Sequence, residues 1–209
     1  MRHWILFGIF FLVSFITIYA QDSRSNEIVF GLGSAFPRES SPLNAPGESE
    51  LPNSLFGNVA YRKYVADLVS VGIRVFGTMN TLSDYYVTST SNPTPKQVEF
   101  NLTSIYIGLE CILLLADEGS AKPYISAMVL YTSGNLTNKE LGKDQYQGVA
   151  WGGGLGLRIK MTKSISLLLE GDVYFGSAKY KSRPFTNSFS DEYNPSTLLL
   201  MVGVCYSFH

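Results

Sequence analysis

Histidine is almost absent from this 209-residue chain, occurring only at His3 and at the terminal His209. No Ser-His-Asp or Cys-His nucleophile can be assembled from so few imidazoles, which removes the commonest hydrolytic sites. Charge is sparse as well, at 16% Asp, Glu, Lys and Arg, against roughly a quarter in soluble domains. The formal net charge of −1 leaves no basic footprint for nucleic acid. After residue 20 no apolar run approaches the roughly 20 residues that a spanning helix needs. Helical periodicity is weak throughout, with no cap leading into an i, i+3, i+4 stripe. Only two cysteines occur, Cys111 and Cys205. Alternation predicts that Cys111 faces outward and Cys205 inward, so both are expected to be reduced packing residues.

The glycines at 152, 153, 154 and 156 lack the G-x-G-x-x-G spacing and precede no helix, which excludes a nucleotide loop. Paired acids such as Asp191-Glu192 and Glu48/Glu50 read as solvated loop charge, so no metal or cofactor is expected. The chain opens with Met-Arg-His, an apolar run from Trp4 to Tyr19, a small residue at Ala20 and polar sequence from Gln21. That order predicts a cleaved secretory signal peptide over residues 1–20, with one domain over 21–209.

What the chain does contain is two-residue periodicity. The stretch VAWGGGLGLRIKM, a TKS turn and ISLLLEGDVYFG run from Val149 to Gly176. One alternate set is Trp151, Leu155, Leu157, Ile159, Met161, Ile165, Leu167, Leu169, Val173 and Phe175. The other is Gly152, Gly154, Gly156, Arg158, Lys160, Ser166, Glu170, Asp172 and Tyr174. Successive strand residues point to opposite faces, so this is a ribbon with one apolar and one polar face. Eight such segments lie near 27–37, 54–65, 69–79, 98–115, 124–133, 148–161, 165–177 and 197–208. Their connections alternate long and short, with long ones at 38–53, 80–97, 134–147 and 178–196. An even number of strands joined by alternating long loops and tight turns predicts an all-β, eight-stranded antiparallel up-and-down transmembrane barrel. A closed barrel leaves no sheet edge exposed to hydrocarbon.

The facing rule then assigns residues. Arg62, Arg74, Glu110, Arg158, Glu170 and Asp172 are expected in the lumen as a polar network, with Gly152, Gly154 and Gly156 leaving space for bulky groups opposite. An odd-numbered turn at 162–164 sets Gly156 opposite Glu170, Gly154 opposite Asp172, Gly152 opposite Tyr174 and Trp151 opposite Phe175. It also places Arg158 one diagonal step from Glu170. Both signs of charge inside imply pairing, because an isolated charge in a low-dielectric cylinder is costly. A gated polar path and a salt-bridged filling of a narrow lumen are both compatible with these residues. The second is favoured, since eight strands enclose little more than their own side chains. Tyr64, Tyr131, Trp151, Phe175, Tyr180, Tyr206 and Phe208 are expected at the membrane interfaces.

With its leader, its eight segments, KPYISAMVLY, WGGGLGLRIKM…SLLLEGDVYFG and the ending GVCYSFH, the chain resembles the small outer-membrane β-barrels of the OmpA/OmpX type. The resemblance extends to the outer membrane protein beta-barrel domain proteins of Bacteroidetes, and it covers most of the chain after the leader. It implies residence in the bacterial outer membrane, contact with its lipid, and insertion by the barrel-assembly machinery through the C-terminal strand. In that family the last residue is often Phe, whereas here His209 follows Phe208. The resemblance implies a non-enzymatic envelope or surface-interaction role, with a possible extracellular ligand held by the four loops. The alternative it implies is a narrow porin-like channel for small solutes, as in OmpW-like proteins.

Overall fold

The computed structural model describes residues 25–37, 54–87, 95–116, 118–139, 142–182, 192–193 and 196–208. The expected signal peptide and the loop at 38–53 lie outside these residues. Strands β1 (Asn26–Pro37), β2 (Ser54–Tyr64), β3 (Val69–Val87), β4 (Pro95–Leu114), β5 (Ala121–Asn138), β6 (Gly142–Lys160) and β7 (Ile165–Ser182) follow in order. A two-residue β8 (Glu192–Tyr193) and then β9 (Thr197–Phe208) complete them. Each long strand pairs antiparallel with its sequence neighbours, β7 pairs with β9, and β9 returns to β1. The eight long strands therefore close into a barrel, while β8 lies on the upper part of β7 through Ala178↔Tyr193 and Lys179↔Glu192.

Burial alternates residue by residue, as in the pattern BeBeBeBeBiB of β2. The barrel is inside out relative to a soluble one. Leu32, Leu55, Met79, Ile105, Leu155 and Val202 project outward and are more than half exposed, whereas Arg74, Glu110 and Asp172 are almost wholly buried. Water would penalise that outer wall heavily, at about 25 cal/mol for each Å² of apolar surface. Lipid tails do not.

Three of the long connections are shorter than the sequence suggests. The stretch 80–97 is largely strand, since β3 and β4 stay paired up to Val87↔Pro95. Residues 134–147 are likewise strand, with β5 and β6 paired up to Asn138↔Gly142. In the stretch from 178, β7 continues to Ser182. Apolar alternation stops where lipid stops, whereas backbone pairing continues through the Thr-, Asn- and Tyr-containing strand above it. Strands of 18 to 20 residues far exceed the roughly 9–11 that cross a bilayer, so these hairpins stand clear of the membrane.

The opposite end is tight. In the β2–β3 turn Val65 N donates to Val69 O at 2.9 Å, and in the β6–β7 turn Met161 N donates to Ile165 O at 2.9 Å. The Thr162 hydroxyl accepts from Ile165 N at 3.0 Å, which holds the latter turn closed. Segments one, two and five have blurred alternation for a reason visible in the lumen. Val29, Phe56, Met128 and Leu130 face inward there, so both faces of those strands carry apolar residues.

The two thiols stand on opposite sides of the wall. Cys111 is exposed on the outer face and Cys205 is buried in the lumen, both free. The folded protein in detergent is expected to accept one N-ethylmaleimide, at Cys111, and the unfolded protein two. Two equivalents on the folded barrel, counted by intact mass, would contradict this placement.

Candidate functional site in the barrel lumen

The lumen is filled in layers, each built from the inward parity of several strands. At mid-height two arginines and three acids converge. Arg62 from β2 donates from Nε to Glu110 Oε1 of β4 at 2.6 Å and from Nη2 to Glu110 Oε2 at 3.2 Å. Its Nη2 also lies 3.6 Å from Glu170 Oε2 of β7. Arg74 from β3 spans the barrel, with Nε 3.0 Å from Glu110 Oε2 and Nη1 2.9 Å from Asp172 Oδ2. Its Nη2 donates to Glu170. Tyr124 donates to Glu170, and Ser126 donates to Asp172 Oδ1 at 3.0 Å. Tyr174 donates to the other oxygen of Asp172 at 3.3 Å. The forked guanidinium suits this task, because its several donors meet separate carboxylates at once. Among the described residues no three metal-ligating side chains gather to hold an ion.

Space for this network comes from the β6 glycines. The register places Gly156 opposite Glu170, Gly154 opposite Asp172 and Gly152 opposite Tyr174, the pairing that alternation and an odd turn dictate. A Cβ on Gly156 would lie 2.1 Å from Tyr124 Cζ, so this glycine admits the ring that holds Glu170. Trp151 pairs with Phe175 on the outer wall, their ring centroids 5.4 Å apart.

Above the charges lies an apolar and aromatic layer. Phe76 stacks on Tyr106 at 4.4 Å, lies 5.4 Å from Tyr174 and meets Phe56 edge-on at 6.1 Å. Met128, Leu130, Leu199 and Met201 complete it. Below the charges, Val29, Ala60, Ile112, Leu114, Tyr124 and Leu168 form a second apolar layer. The mid-height network is thus closed above and below by carbon.

Arg158 is not part of that network, which corrects its expected proximity to Glu170. It forms an ion pair with Glu27 of β1 and donates to Tyr64 at 2.7 Å, Ser166 at 3.1 Å and Ser207 at 2.9 Å. Inward side chains of a closed barrel converge on its axis, where partners across the lumen compete with the diagonal neighbour. Glu170 already has Arg74, Arg62 and Tyr124, so Arg158 turns to the periplasmic end. Tyr64 is also corrected. It is buried at the inward end of β2 rather than set in an interfacial girdle. Tyr131, Trp151, Phe175 and Tyr206 are exposed on the outer wall, and Tyr206 stacks with Phe208 at 6.0 Å. The Tyr180 side chain and His209 lie outside the described residues.

Sequence reasoning missed Glu27, Tyr124, Ser126 and Ser207. Glu27 shares parity with the inward Val29, and Tyr124 shares it with Ser126 and Met128. Strand parity was available for each, but without closure nothing tied any of them to a partner.

An outward apolar wall, an inward ion-pair core and closure by eight antiparallel strands define a transmembrane β-barrel. The fold is similar to that of neisserial surface protein A, with 14% identity, a TM-score of 0.56, and 90% of this chain and 98% of that chain covered. It is similar to the outer membrane protein OprG of Pseudomonas aeruginosa, with 12% identity, a TM-score of 0.60 and coverages of 91% and 99%. Ail, the attachment invasion locus protein of Yersinia pestis, in complex with the heparin analogue sucrose octasulfate, matches at 12% identity and a TM-score of 0.53. Its coverages are 90% and 100%. No protein-family model matches the sequence, and no curated protein does.

Proposed function

We propose that this protein is a non-enzymatic, non-conducting barrel whose long extracellular hairpins act in surface interaction or envelope structure. The observation that carries the reading is the buried five-residue charge network, with Arg74, Glu110 and Glu170 side chains no more than 1% exposed. An ion crossing this lumen would have to part Arg74 from three carboxylates and then pass the Phe76–Tyr106 stack. The hairpins β3–β4 and β5–β6 supply the working surface, and their length beyond the membrane supports contact with molecules outside the cell. Exposed Lys139, Lys143, Lys179 and Lys181 give the β5–β7 side of that surface a cationic character. Because Ail binds sucrose octasulfate in its crystal structure, a sulfated glycan is the first ligand class to test. The aromatic end of β9 supports insertion through the barrel-assembly machinery.

Planar-bilayer recording tests the lumen. The refolded protein is expected to give no steady conductance. A steady open state that is lost on Glu170→Gln would sink the reading and make the protein a channel. A deletion strain should change in adhesion to sulfated glycan surfaces while its uptake of small solutes stays as in the parent. The reverse pattern favours transport.

A further inference from the structure

The lower end of the lumen opens toward the periplasm as a cavity of about 990 Å³. Tyr64 and Leu114 of the lower apolar layer line its inner end. Its volume lies at the upper end of the range for small-molecule sites. The surface-interaction reading makes no use of it.

Cationic side chains outnumber acidic ones among the described residues that line this pocket. Arg158 is held by Tyr64, Ser166 and Ser207 and is matched by Glu27. Lys160 of β6 and Lys163 of the β6–β7 turn also line the pocket, as does Lys122 of β5. Among the described residues of the lining, the only acid besides Glu27 is Asp67. Hydroxyls of Ser25, Ser120 and Ser164 complete the polar wall. Ammonium groups beside hydroxyl donors suit a tetrahedral oxyanion, since lysine binds phosphate as a compact point charge.

The lip of the same pocket is lipid-facing wall. Tyr206 and Phe208 line it, and Tyr206 is about half exposed on the outer surface. Aromatic rings of this kind sit at headgroup level in a bilayer. We infer that this vestibule binds a phosphate-bearing anion, namely the headgroup of an inner-leaflet phospholipid whose acyl chains run along Tyr206 and Phe208. The lysines hold the phosphate, Asp67 and the serines receive polar headgroup atoms, and the aromatic lip accepts the first methylenes.

Native mass spectrometry of the folded full barrel in a non-ionic detergent tests this, with dioleoylphosphatidylglycerol as ligand. Dioleoylglycerol, which lacks the phosphate, and inorganic phosphate are the comparison ligands. One phosphatidylglycerol should be retained and dioleoylglycerol should not. The Lys160→Gln/Lys163→Gln double variant should bind about thirtyfold more weakly, given about 1 kcal/mol for each lysine near an anionic lipid surface. Inorganic phosphate binding as tightly as the lipid would keep the anion site and overturn its assignment to a lipid. Equal retention of dioleoylglycerol, or unchanged affinity in the folded double variant, overturns the site itself.

Discussion

Replacing Arg74 with leucine is expected to cost about 3–5 kcal/mol of stability, because it removes one partner from a buried ion-pair network. Arg74 contacts Glu110, Glu170 and Asp172 together. Without it, Arg62 is the only cation left at mid-height among the described residues, and its contacts reach Glu110 and Glu170 but not Asp172. Asp172 would keep the hydroxyls of Ser126 and Tyr174 and its neighbour Glu170, but no cation. Urea unfolding in phospholipid vesicles, read by heat-modifiable gel migration or Trp151 fluorescence, measures the loss. Arg74→Lys should fall between parent and Arg74→Leu, since one ammonium cannot meet three separated carboxylates. A loss below about 1 kcal/mol in Arg74→Leu, the range of an exposed pair, would mean that water reaches the network and that the lumen is open.

The second large effect is expected at Gly154. A Cβ there would lie 2.1 Å from Asp172 Oδ1, 2.2 Å from Gly171 O and 2.9 Å from Asp172 Cα. Two of these three atoms belong to the backbone of the paired strand and cannot swing away. Gly154→Val should therefore cost about 3 kcal/mol or more through overpacking. It should also displace Asp172 from Arg74, so its effect and that of Arg74→Leu should be less than additive when combined. Gly57→Ala is the matched control. Its Cβ would meet only Leu32 Cδ2, at 3.8 Å, and stability should change by no more than about 0.5 kcal/mol. Equal losses at Gly154 and Gly57 would show that strand glycines are disfavoured or tolerated without regard to their neighbours.

Much of the wall was legible before any coordinates. Trp151 opposite Phe175 and Gly154 opposite Asp172 follow from the pleat, from side-chain parity and from an odd turn, all local properties of one hairpin. Cys111 outward and Cys205 inward follow from the same rule. The limits of that reasoning are equally physical. Residues 80–87 and 142–147 read as loop because neither alternate set there is consistently apolar, yet their backbones continue the ladder. Phe56, Phe76 and Met201 could not be assigned to a lumen layer, because an aromatic or apolar residue suits either face of a wall that borders lipid outside and carbon inside.

The sequence by itself determined the eight barrel strands, the lipid-facing side of most of them, and the register of β6 on β7, because each depends on neighbours in the chain or across one turn. Only the tertiary structure decided the partners inside. Arg74 meets Asp172 from 98 residues away, and Arg158 meets Glu27 rather than Glu170. Those pairings depend on the tilt and closure of the whole barrel, which bring β3 across the lumen from β7 and β1 across from β6. A charge in so narrow a cylinder bonds to whatever closure sets opposite it, and no local periodicity carries that information.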